Sequence, residues 1–360
     1  MKTVVLIIDS LIGAGAETTN IRLAEAFLKN SFNVYLITIK DIIEVTVDDQ
    51  IKLFTLSYEK NTRLFNDMHF SKLLDKKLEA IKNKENTIDL ILGSLGLSHK
   101  LMNRINNKYN FYYVLHGTTC HAKLSSKKGI SKFLKKQELR NLYKNKHIIC
   151  VSNGVKKDIE SLSIIFKSIK TIYNPFNFEH IIKKSQQKLN LTLPKNYIVH
   201  VGRFAKVKRH DILLKAFSLI KDPYLKLVLV GEGKERKNIE KLINHFSIAS
   251  RVILLGFQDN PYPIIKEAKA LVLSSQNEGF GNVLIESLIL NTRVVSTDAP
   301  VGPREILEDI LPQSLAPVND PEKLASSIQE VIDTPLRLKE NCLKQYNTDT
   351  VIKEYIKLLY

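Results

Sequence analysis

The sequence predicts an α/β protein with two domains, each built on a doubly wound parallel sheet that helices cover on both faces. Short runs of valine, isoleucine and leucine alternate with segments of amphipathic helical pattern. This rhythm occurs twice, and a polar stretch separates the two series. A chain of 360 residues with 44% hydrophobic composition is long enough to bury two cores.

In the first half, the runs that predict strands are VVLIID (4–9), VYLITI (34–39), LILG (90–93), YYVLHG (112–117) and HIICVS (147–152). In the second half they are YIVHVG (197–202), LKLVLVG (225–231), VILLG (252–256), ALVLSS (270–275) and RVVST (293–297). The pattern breaks at Asn174 and Pro175. We therefore expect one domain over 1–174, a second over 175–345 and a last helix over 346–360.

The amino-acid composition of the chain limits which partners and functions are plausible. The formal net charge of +17 favours polyanions or anionic surfaces as partners. Nine Lys/Arg and one acid, Glu138, lie in segment 121–147 beside several apolar residues, which indicates a membrane surface, nucleic acid or a solvated helix face.

Three widely spaced cysteines give no disulfide framework and favour the cytosol. Since no uncharged apolar run approaches the roughly 18 residues of a spanning helix, we expect no integral membrane segment.

The turn after the first strand carries two glycines, Gly13 and Gly15, within LIGAGAETT. Glycines at a helix start let backbone amides approach an anion. A dinucleotide fingerprint, Gly-x-Gly-x-x-Gly, begins directly after a strand, but here four residues separate the apolar run from the first glycine. The third position of the fingerprint, which takes glycine or alanine, would be position 18, and it is Thr18. The turn therefore argues against a nicotinamide oxidoreductase.

Arg203 and Lys208 follow the strand YIVHVG. Ligands of open parallel sheets bind beyond the carboxyl ends of the strands, where an arginine and a lysine can bind a diphosphate. No Asp-x-Asp follows a strand, so we expect diphosphate binding without a metal ion. The cluster of His116, Cys120 and His121 lacks a four-ligand set and predicts no zinc site.

The segment NEGFGNVLIESL holds two acids, Glu278 and Glu286, on either side of a predicted helix start at Gly281 and Asn282. Helix starts attract anions, and helical side chains lean toward the N-terminus, so both acids should border one anion site. Carboxylates beside a phosphate are favourable where they accept hydrogen bonds from sugar hydroxyls. The segment therefore predicts a sugar-nucleotide site.

The ordered motifs LIGAGAE, LHG, VGRFAKVK, LVGEG and NEGFGNVLIESL resemble those of the family-4 retaining glycosyltransferases of GT-B architecture. DAPVGPREIL (298–307) is similar to a pattern of bacterial surface-polysaccharide and lipopolysaccharide members. The resemblance covers nearly the whole chain. It implies two Rossmann-like domains facing a cleft, with the acceptor on the first domain, the sugar nucleotide on the second, and the last helix crossing back to the first.

The resemblance also implies residue roles. Arg203 and Lys208 would neutralise the departing diphosphate, Glu278 would contact the transferred sugar, and His116 would face that sugar. The other donor-binding residues implied are Gly13, Gly15, Phe280, Gly281, Asn282 and Glu286, the last of them on the ribose. Glu17 would lie where the acceptor binds, or would stabilise its own helix start.

The implied reaction moves a hexose or N-acetylhexosamine from a UDP sugar to a hydroxyl of a bacterial glycolipid, lipopolysaccharide or polysaccharide, with retention and without a metal or other cofactor. We expect a cytoplasmic enzyme at the inner face of the membrane, with 121–147 as the contact and no nucleic-acid partner. The alternatives are a sugar-nucleotide epimerase of the same architecture and a basic nucleic-acid-binding protein.

Overall fold

The computed structural model describes residues 1–59, 66–105, 109–189 and 191–360. The chain folds as two compact units. Unit 1 comprises Met1–Pro175 together with Tyr346–Tyr360, and unit 2 comprises Phe176–Gln345. Each unit is an α/β layer structure around its own parallel sheet, so the predicted fold class of two doubly wound domains is confirmed.

Unit 1 contains a seven-stranded sheet in the order β3-β2-β1-β4-β5-β6-β7. Its strands are β1 (Thr3–Ile8), β2 (Asn33–Thr38), β3 (Lys52–Thr55), β4 (Leu90–Ser94), β5 (Phe111–Leu115), β6 (His147–Cys150) and β7 (Ser168–Thr171). Every strand pair is parallel. The unit 1 helices before the domain boundary are α1 (Gly15–Lys29), α2 (Asn66–Glu85), α3 (Gly96–Arg104), α4 (Cys120–Leu124), α5 (Gly129–Tyr143) and α6 (Asn153–Glu160).

Unit 2 contains a six-stranded parallel sheet in the order β10-β9-β8-β11-β12-β13. Its strands are β8 (Tyr197–Val201), β9 (Lys226–Val230), β10 (Val252–Gly256), β11 (Ala270–Leu273), β12 (Arg293–Thr297) and β13 (Leu315–Ala316). Its helices are α7 (Phe178–Ser185), α8 (His210–Leu219), α9 (Arg236–His245), α10 (Tyr262–Glu267), α11 (Asn282–Ile289), α12 (Pro303–Leu307) and α13 (Pro321–Asp333). The core on one face of this sheet joins apolar residues of β8, β9 and β11 to those of α8, α9 and α13.

The last helix, α14 (Thr348–Ile356), belongs to unit 1 although it follows unit 2 in the chain. The ring of its buried Tyr355 meets Phe27 of α1 edge to face, with centroids 6.2 Å apart. Aromatic pairs of this geometry stabilise a contact beyond the area they bury. Within the described residues, no helix has both the length and the apolar character needed to cross a bilayer.

Each sheet contains a topological switch point. This is the place between two neighbouring strands from which the chain continues toward one edge of the sheet on one side and toward the other edge on the other side. In unit 1 it lies between β1 and β4, and in unit 2 between β8 and β11. Loops leaving the carboxyl ends of these neighbouring strands diverge and create the crevice in which such sheets bind ligands. The residues that follow these four strands therefore lie where sheets of this kind bind ligands.

Candidate functional site

The loop that leaves β8 carries the two cations singled out in the sequence. Arg203 is exposed two residues after the strand, and Lys208 ends a short 3-10 turn, Lys206–Lys208. Arg209 follows in the left-handed region with φ +49°, a conformation that favours glycine. Its guanidinium binds the carboxylate of Asp211 with Nε and Nη2, and this two-point contact stabilises the turn that presents Lys208.

The loop that leaves β11 is joined to this turn by hydrogen bonds. Ser274 Oγ donates to the carbonyl of Lys208 at 2.8 Å, and the Gln276 amide donates to the carbonyl of Val207 at 2.8 Å. Ser274 is buried. The two loops on either side of the switch point in unit 2 thus form one connected structure.

Lys208 and Glu278 form an ion pair across these loops. The Nζ of Lys208 donates to Glu278 Oε1 at 2.6 Å, and the two side chains are only 21% and 12% exposed. Ser275 Oγ donates to the same carboxylate oxygen. An ammonium has three donors, so Lys208 can keep this bond and still donate to an anion. The pair thus places a cation that could bind a phosphate next to a carboxylate that could accept hydrogen bonds from hydroxyl groups.

Helix α11 begins four residues after Glu278. Gly281 is its N-cap, with φ +93°, and Asn282 is its first residue. The dipole of a helix favours an anion at this end. Glu286 lies one turn further along α11, where the Tyr262 hydroxyl is 3.5 Å from its Oε1. The structure therefore places both acids of the motif on the segment that starts at the ligand side of the sheet.

Phe280 anchors the start of α11 because it is 3% exposed. Its ring lies 6.4 Å from that of Phe176, and Gly302 packs against its backbone. A Cβ on Gly302, where φ is +91°, would lie 2.2 Å from the Phe280 carbonyl oxygen. The glycine is required for this close approach.

We expect Gly302→Ala to destabilise unit 2 by about 3 kcal/mol or more, since it combines a backbone clash with a left-handed φ. Gly129→Ala is the matched control, because Gly129 has φ +51° and no atom within 4 Å of an added Cβ. That control should cost only about 1 kcal/mol. Melting curves followed by circular dichroism would measure both, and equal midpoints for the two variants would contradict the close-approach role.

Unit 1 presents a second group of predicted residues at the carboxyl ends of β1, β4 and β5. Gly13 has φ +72°, Ala14 is the N-cap of α1, and Gly15 is the first residue of that helix. Glu17, in the first turn, is 4% exposed. Asp9, which follows β1, accepts with its carboxylate from the amides of residues 97 and 98 at the start of α3, and these bonds connect the end of β1 to the helix that follows β4.

His116 lies directly after β5 and contacts two polar side chains. Its Nε2 is 3.0 Å from Ser94 Oγ and 3.4 Å from Asn20 Nδ2, and Ser94 Oγ is also 3.1 Å from Asn20 Oδ1. Its Nδ1 is buried without a partner among the described residues. Burial lowers the pKa of His116 to about 3, with the nearby His99 as a second cause. At neutral pH the ring is therefore uncharged and acts by hydrogen bonding.

Helix α4 starts at Cys120, within the segment HGTTCH (116–121) that holds His116, Cys120 and His121. The amides of Thr119, Cys120 and His121 all donate to the carboxylate of Asp158, at 2.7 to 2.9 Å. Burial raises the pKa of the Cys120 thiol to about 11, which keeps it protonated. Across the described residues, no group of three or more His, Cys, Asp and Glu is arranged to hold a metal ion.

The basic segment 121–147 contains α5 and all of α4 except its first residue. The second half of α5 packs against unit 1 through Leu139, Leu142 and Tyr143, which are buried. In the first half of α5, large apolar side chains are exposed to solvent: Ile130, Phe133 and Leu134 are 79%, 68% and 61% exposed. Exposed large apolar side chains in a cluster mark an interaction surface more often than scattered ones do.

Residues 181–349 match the family described as Glycosyl transferases group 1. The match contains the whole arrangement of Arg203, Lys208, Glu278 and Glu286 in unit 2. The chain is a glycosyltransferase that carries a group 1 domain. The ordered cations and the two spaced acids that carried the resemblance thus belong to this group 1 domain.

Curated relatives extend the similarity into unit 1. The chain is 29% identical over 323 residues to the N-acetylgalactosamine-N,N'-diacetylbacillosaminyl-diphospho-undecaprenol 4-alpha-N-acetylgalactosaminyltransferase of Campylobacter jejuni, which covers 86% of this chain and 84% of that one. It is 27% identical over 219 residues to the lipopolysaccharide core biosynthesis glycosyltransferase LpsE of Rhizobium meliloti, which covers 59% of this chain and 63% of that one. By name, the first relative acts on a diphospho-undecaprenol-linked acceptor and the second belongs to lipopolysaccharide core biosynthesis.

Among solved structures, HepE of Anabaena in complex with UDP and glucose is similar over 100% of this chain and 99% of its own, with a TM-score of 0.77 and 17% identity. At this identity the likeness shows the fold. The group 1 domain and unit 1 together therefore have the GT-B fold, as the motifs predicted.

Several site residues were absent from the sequence predictions. Ser274, Ser275, Asn20, Ser94 and Tyr262 all contact a predicted residue. The serines carried a usable signal, because two polar residues end the otherwise apolar run ALVLSS at the ligand side of the sheet. Asn20 and Tyr262 lie inside helical patterns, where a polar or aromatic residue is ordinary.

Proposed function

We propose that this enzyme transfers a hexose or N-acetylhexosamine from a UDP sugar to a hydroxyl of a bacterial glycolipid, lipopolysaccharide or polysaccharide. The observation that carries the proposal is the Lys208–Glu278 pair, 2.6 Å apart, beside the start of α11 in the group 1 domain. A cation and a carboxylate held together in this way suit a ligand that carries phosphate next to hydroxyl groups.

In the proposed complex, Arg203 and Lys208 bind the diphosphate of the donor. They supply two positive charges where charge develops on the departing UDP, so a metal ion is not required for that purpose. The amides around Phe280, Gly281 and Asn282 add the field of a helix start. Glu278 accepts from hydroxyls of the sugar, and Glu286 accepts from the ribose.

On unit 1, the proposed donor contacts are Gly13, Gly15 and His116, and Glu17 is the proposed acceptor contact. The neutral ring of His116 suits a hydrogen bond to a sugar hydroxyl and is a poor source of a proton. The buried Nδ1 of that ring supports such a contact, because buried polar atoms in proteins generally have a partner.

The proposed reaction proceeds with retention. The bond between the anomeric carbon and the β-phosphate oxygen breaks, and a bond to the acceptor oxygen forms on the same face of the sugar. The proton of the acceptor hydroxyl passes to a phosphate oxygen of the leaving UDP. Arg203 and Lys208 favour this step because they stabilise the charge on that leaving group.

The experiment that tests the proposed function is a donor panel in EDTA. Purified enzyme would be incubated with UDP-glucose, UDP-galactose, UDP-N-acetylglucosamine or UDP-N-acetylgalactosamine and with a lipid extract of a Gram-negative bacterium. We expect one donor to release UDP in an extract-dependent way and the product to carry an α linkage by NMR. A β-linked product would contradict retention, and isomerisation of a donor without an acceptor would contradict transfer.

We further propose that the enzyme is cytoplasmic and binds the inner face of the cytoplasmic membrane through segment 121–147. The exposed Ile130, Phe133 and Leu134 support insertion at the level of the headgroups. The neighbouring exposed lysines, Lys127, Lys128 and Lys132, support attraction to anionic lipids. A glycolipid acceptor would be reached in this position, and the lipid-linked acceptor in the name of the Campylobacter jejuni relative supports that view.

Sedimentation with vesicles tests this membrane contact. We expect binding to phosphatidylglycerol vesicles, little binding to phosphatidylcholine vesicles, and release as salt shortens the Debye length from about 10 Å at 0.1 M to about 3 Å at 1 M. Phe133→Ser should weaken binding severalfold, while Ile165→Ser is the control, since Ile165 is 73% exposed outside the segment. Binding that salt and Phe133→Ser leave unchanged would contradict the proposal.

A further inference from the structure

The carboxylate of Glu278 is held at one of its two oxygens. Lys208 Nζ and Ser275 Oγ both donate to Oε1, at 2.6 and 2.5 Å. Every hydrogen bond that the described residues make to this side chain falls on that atom. Because an ionised carboxylate has two acceptor oxygens, Oε2 is the one left to accept from a ligand.

The two donors differ in how firmly they can hold the carboxylate. Lys208 reaches Glu278 on a long flexible side chain and, under the proposed function, also binds phosphate. Ser275 is fully buried, and its hydroxyl is set by a single side-chain torsion. The serine is therefore the firmer of the two anchors.

The backbone that carries Ser275 is itself fixed. Thr297 Oγ1, in β12, donates to the Ser275 carbonyl at 2.6 Å. The residues on either side of Ser275 bind the turn that contains Lys208, through Ser274 Oγ and the Gln276 amide. The hydroxyl of Ser275 thus projects from a segment that is tied to the strands on one side and to the phosphate-binding turn on the other.

We propose that Ser275 is a positioning residue that fixes the Glu278 side chain so that Oε2 faces a hydroxyl of the transferred sugar. This inference rests on the proposed function and assigns one further residue to the sugar part of the donor site. Without the serine, the carboxylate turns more freely about its terminal torsion and loses orientation toward the sugar. The diphosphate contacts of Arg203 and Lys208 do not depend on that orientation.

Calorimetric titration in EDTA with UDP and with each of the four UDP sugars of the donor panel tests this separation. We expect Ser275→Ala to bind UDP within about twofold of wild type and to bind the preferred UDP sugar about tenfold more weakly, the loss of one hydrogen bond to a charged group. Ser275→Thr keeps the hydroxyl and should restore sugar binding to within about threefold. Ser326→Ala, at an exposed serine of α13, is the control.

Two results would overturn the inference. One is a Ser275→Ala variant that binds UDP and the UDP sugar as tightly as wild type. The other is an equal loss of both affinities, which would indicate a structural role and would be accompanied by a lower melting temperature. Failure of the wild-type enzyme to bind UDP at all is a different outcome, because it would overturn the proposed function on which the inference rests.

Discussion

Glu278→Gln is expected to lower kcat/KM for the preferred UDP sugar by about 100- to 1,000-fold, the range seen when one group that stabilises the transition state is removed. Glutamine keeps the shape of the side chain and can still accept hydrogen bonds from Lys208 and Ser275. The fall in kcat/KM would therefore measure the effect of removing the negative charge. UDP binding should stay the same or tighten, because a negative charge near the phosphates is removed. Initial rates of UDP release and calorimetry would measure the two effects.

Glu240→Gln is the matched control for this variant. Glu240 is an acid in an ion pair too, 2.7 Å from Arg236, but its side chain is 47% exposed on α9. Exposed ion pairs contribute little, so its effect on kcat/KM should stay below about twofold. A Glu278→Gln enzyme whose kcat/KM falls no further than that of the control would contradict the role given to the carboxylate.

Lys208→Met is expected to weaken UDP binding by about 10- to 100-fold, in line with the loss of a hydrogen bond between charged groups. Methionine keeps much of the apolar stem but removes the ammonium, so Glu278 also loses its cation. For that reason kcat/KM should fall more than UDP affinity does. Calorimetry with UDP and initial rates with the UDP sugar would separate the two losses.

Lys206→Met is the control, since Lys206 lies in the same 3-10 turn but is exposed. Both variants lower the net charge by one, so a long-range effect of charge would appear in both. We expect the Lys206 variant to bind UDP within about twofold of wild type. Equal losses in the two variants would show that overall charge attracts the nucleotide and that the geometry of Lys208 is not decisive.

The inner strands were predictable because they are buried on both faces. Runs such as VVLIID in β1 and ALVLSS in β11 contain little except large apolar residues until they reach the ligand side. The strands that the sequence failed to predict, β3, β7 and β13, all lie at sheet edges. The edge strand β7 has the mixed sequence SIKT, and β13 has only two residues, whereas the edge strand β10 (VILLG) is apolar and was predicted.

Candidate site residues could be named from the sequence where a charged residue or a glycine lies in the loop after a buried strand. Arg203, Lys208 and Glu278 stand out because they are charged residues in the two loops that follow the buried strands β8 and β11. The contacts that orient them were not predictable, because they depend on which loops become neighbours. Ser275 reaches Glu278 within its own loop, but Ser274 binds Lys208 across 66 residues of sequence.

The central claim is that the group 1 domain binds a nucleoside diphosphate through Lys208 and Glu278 without a metal ion. Titration of the wild-type enzyme with UDP in EDTA, followed by the same titration after Mg²⁺ is added, tests it most directly. We expect saturable binding in EDTA, with a Kd that Mg²⁺ changes by less than about threefold, since charged side chains take the place of the metal at the diphosphate. Binding that appears only after Mg²⁺ is added, or no binding in either buffer, would contradict the claim.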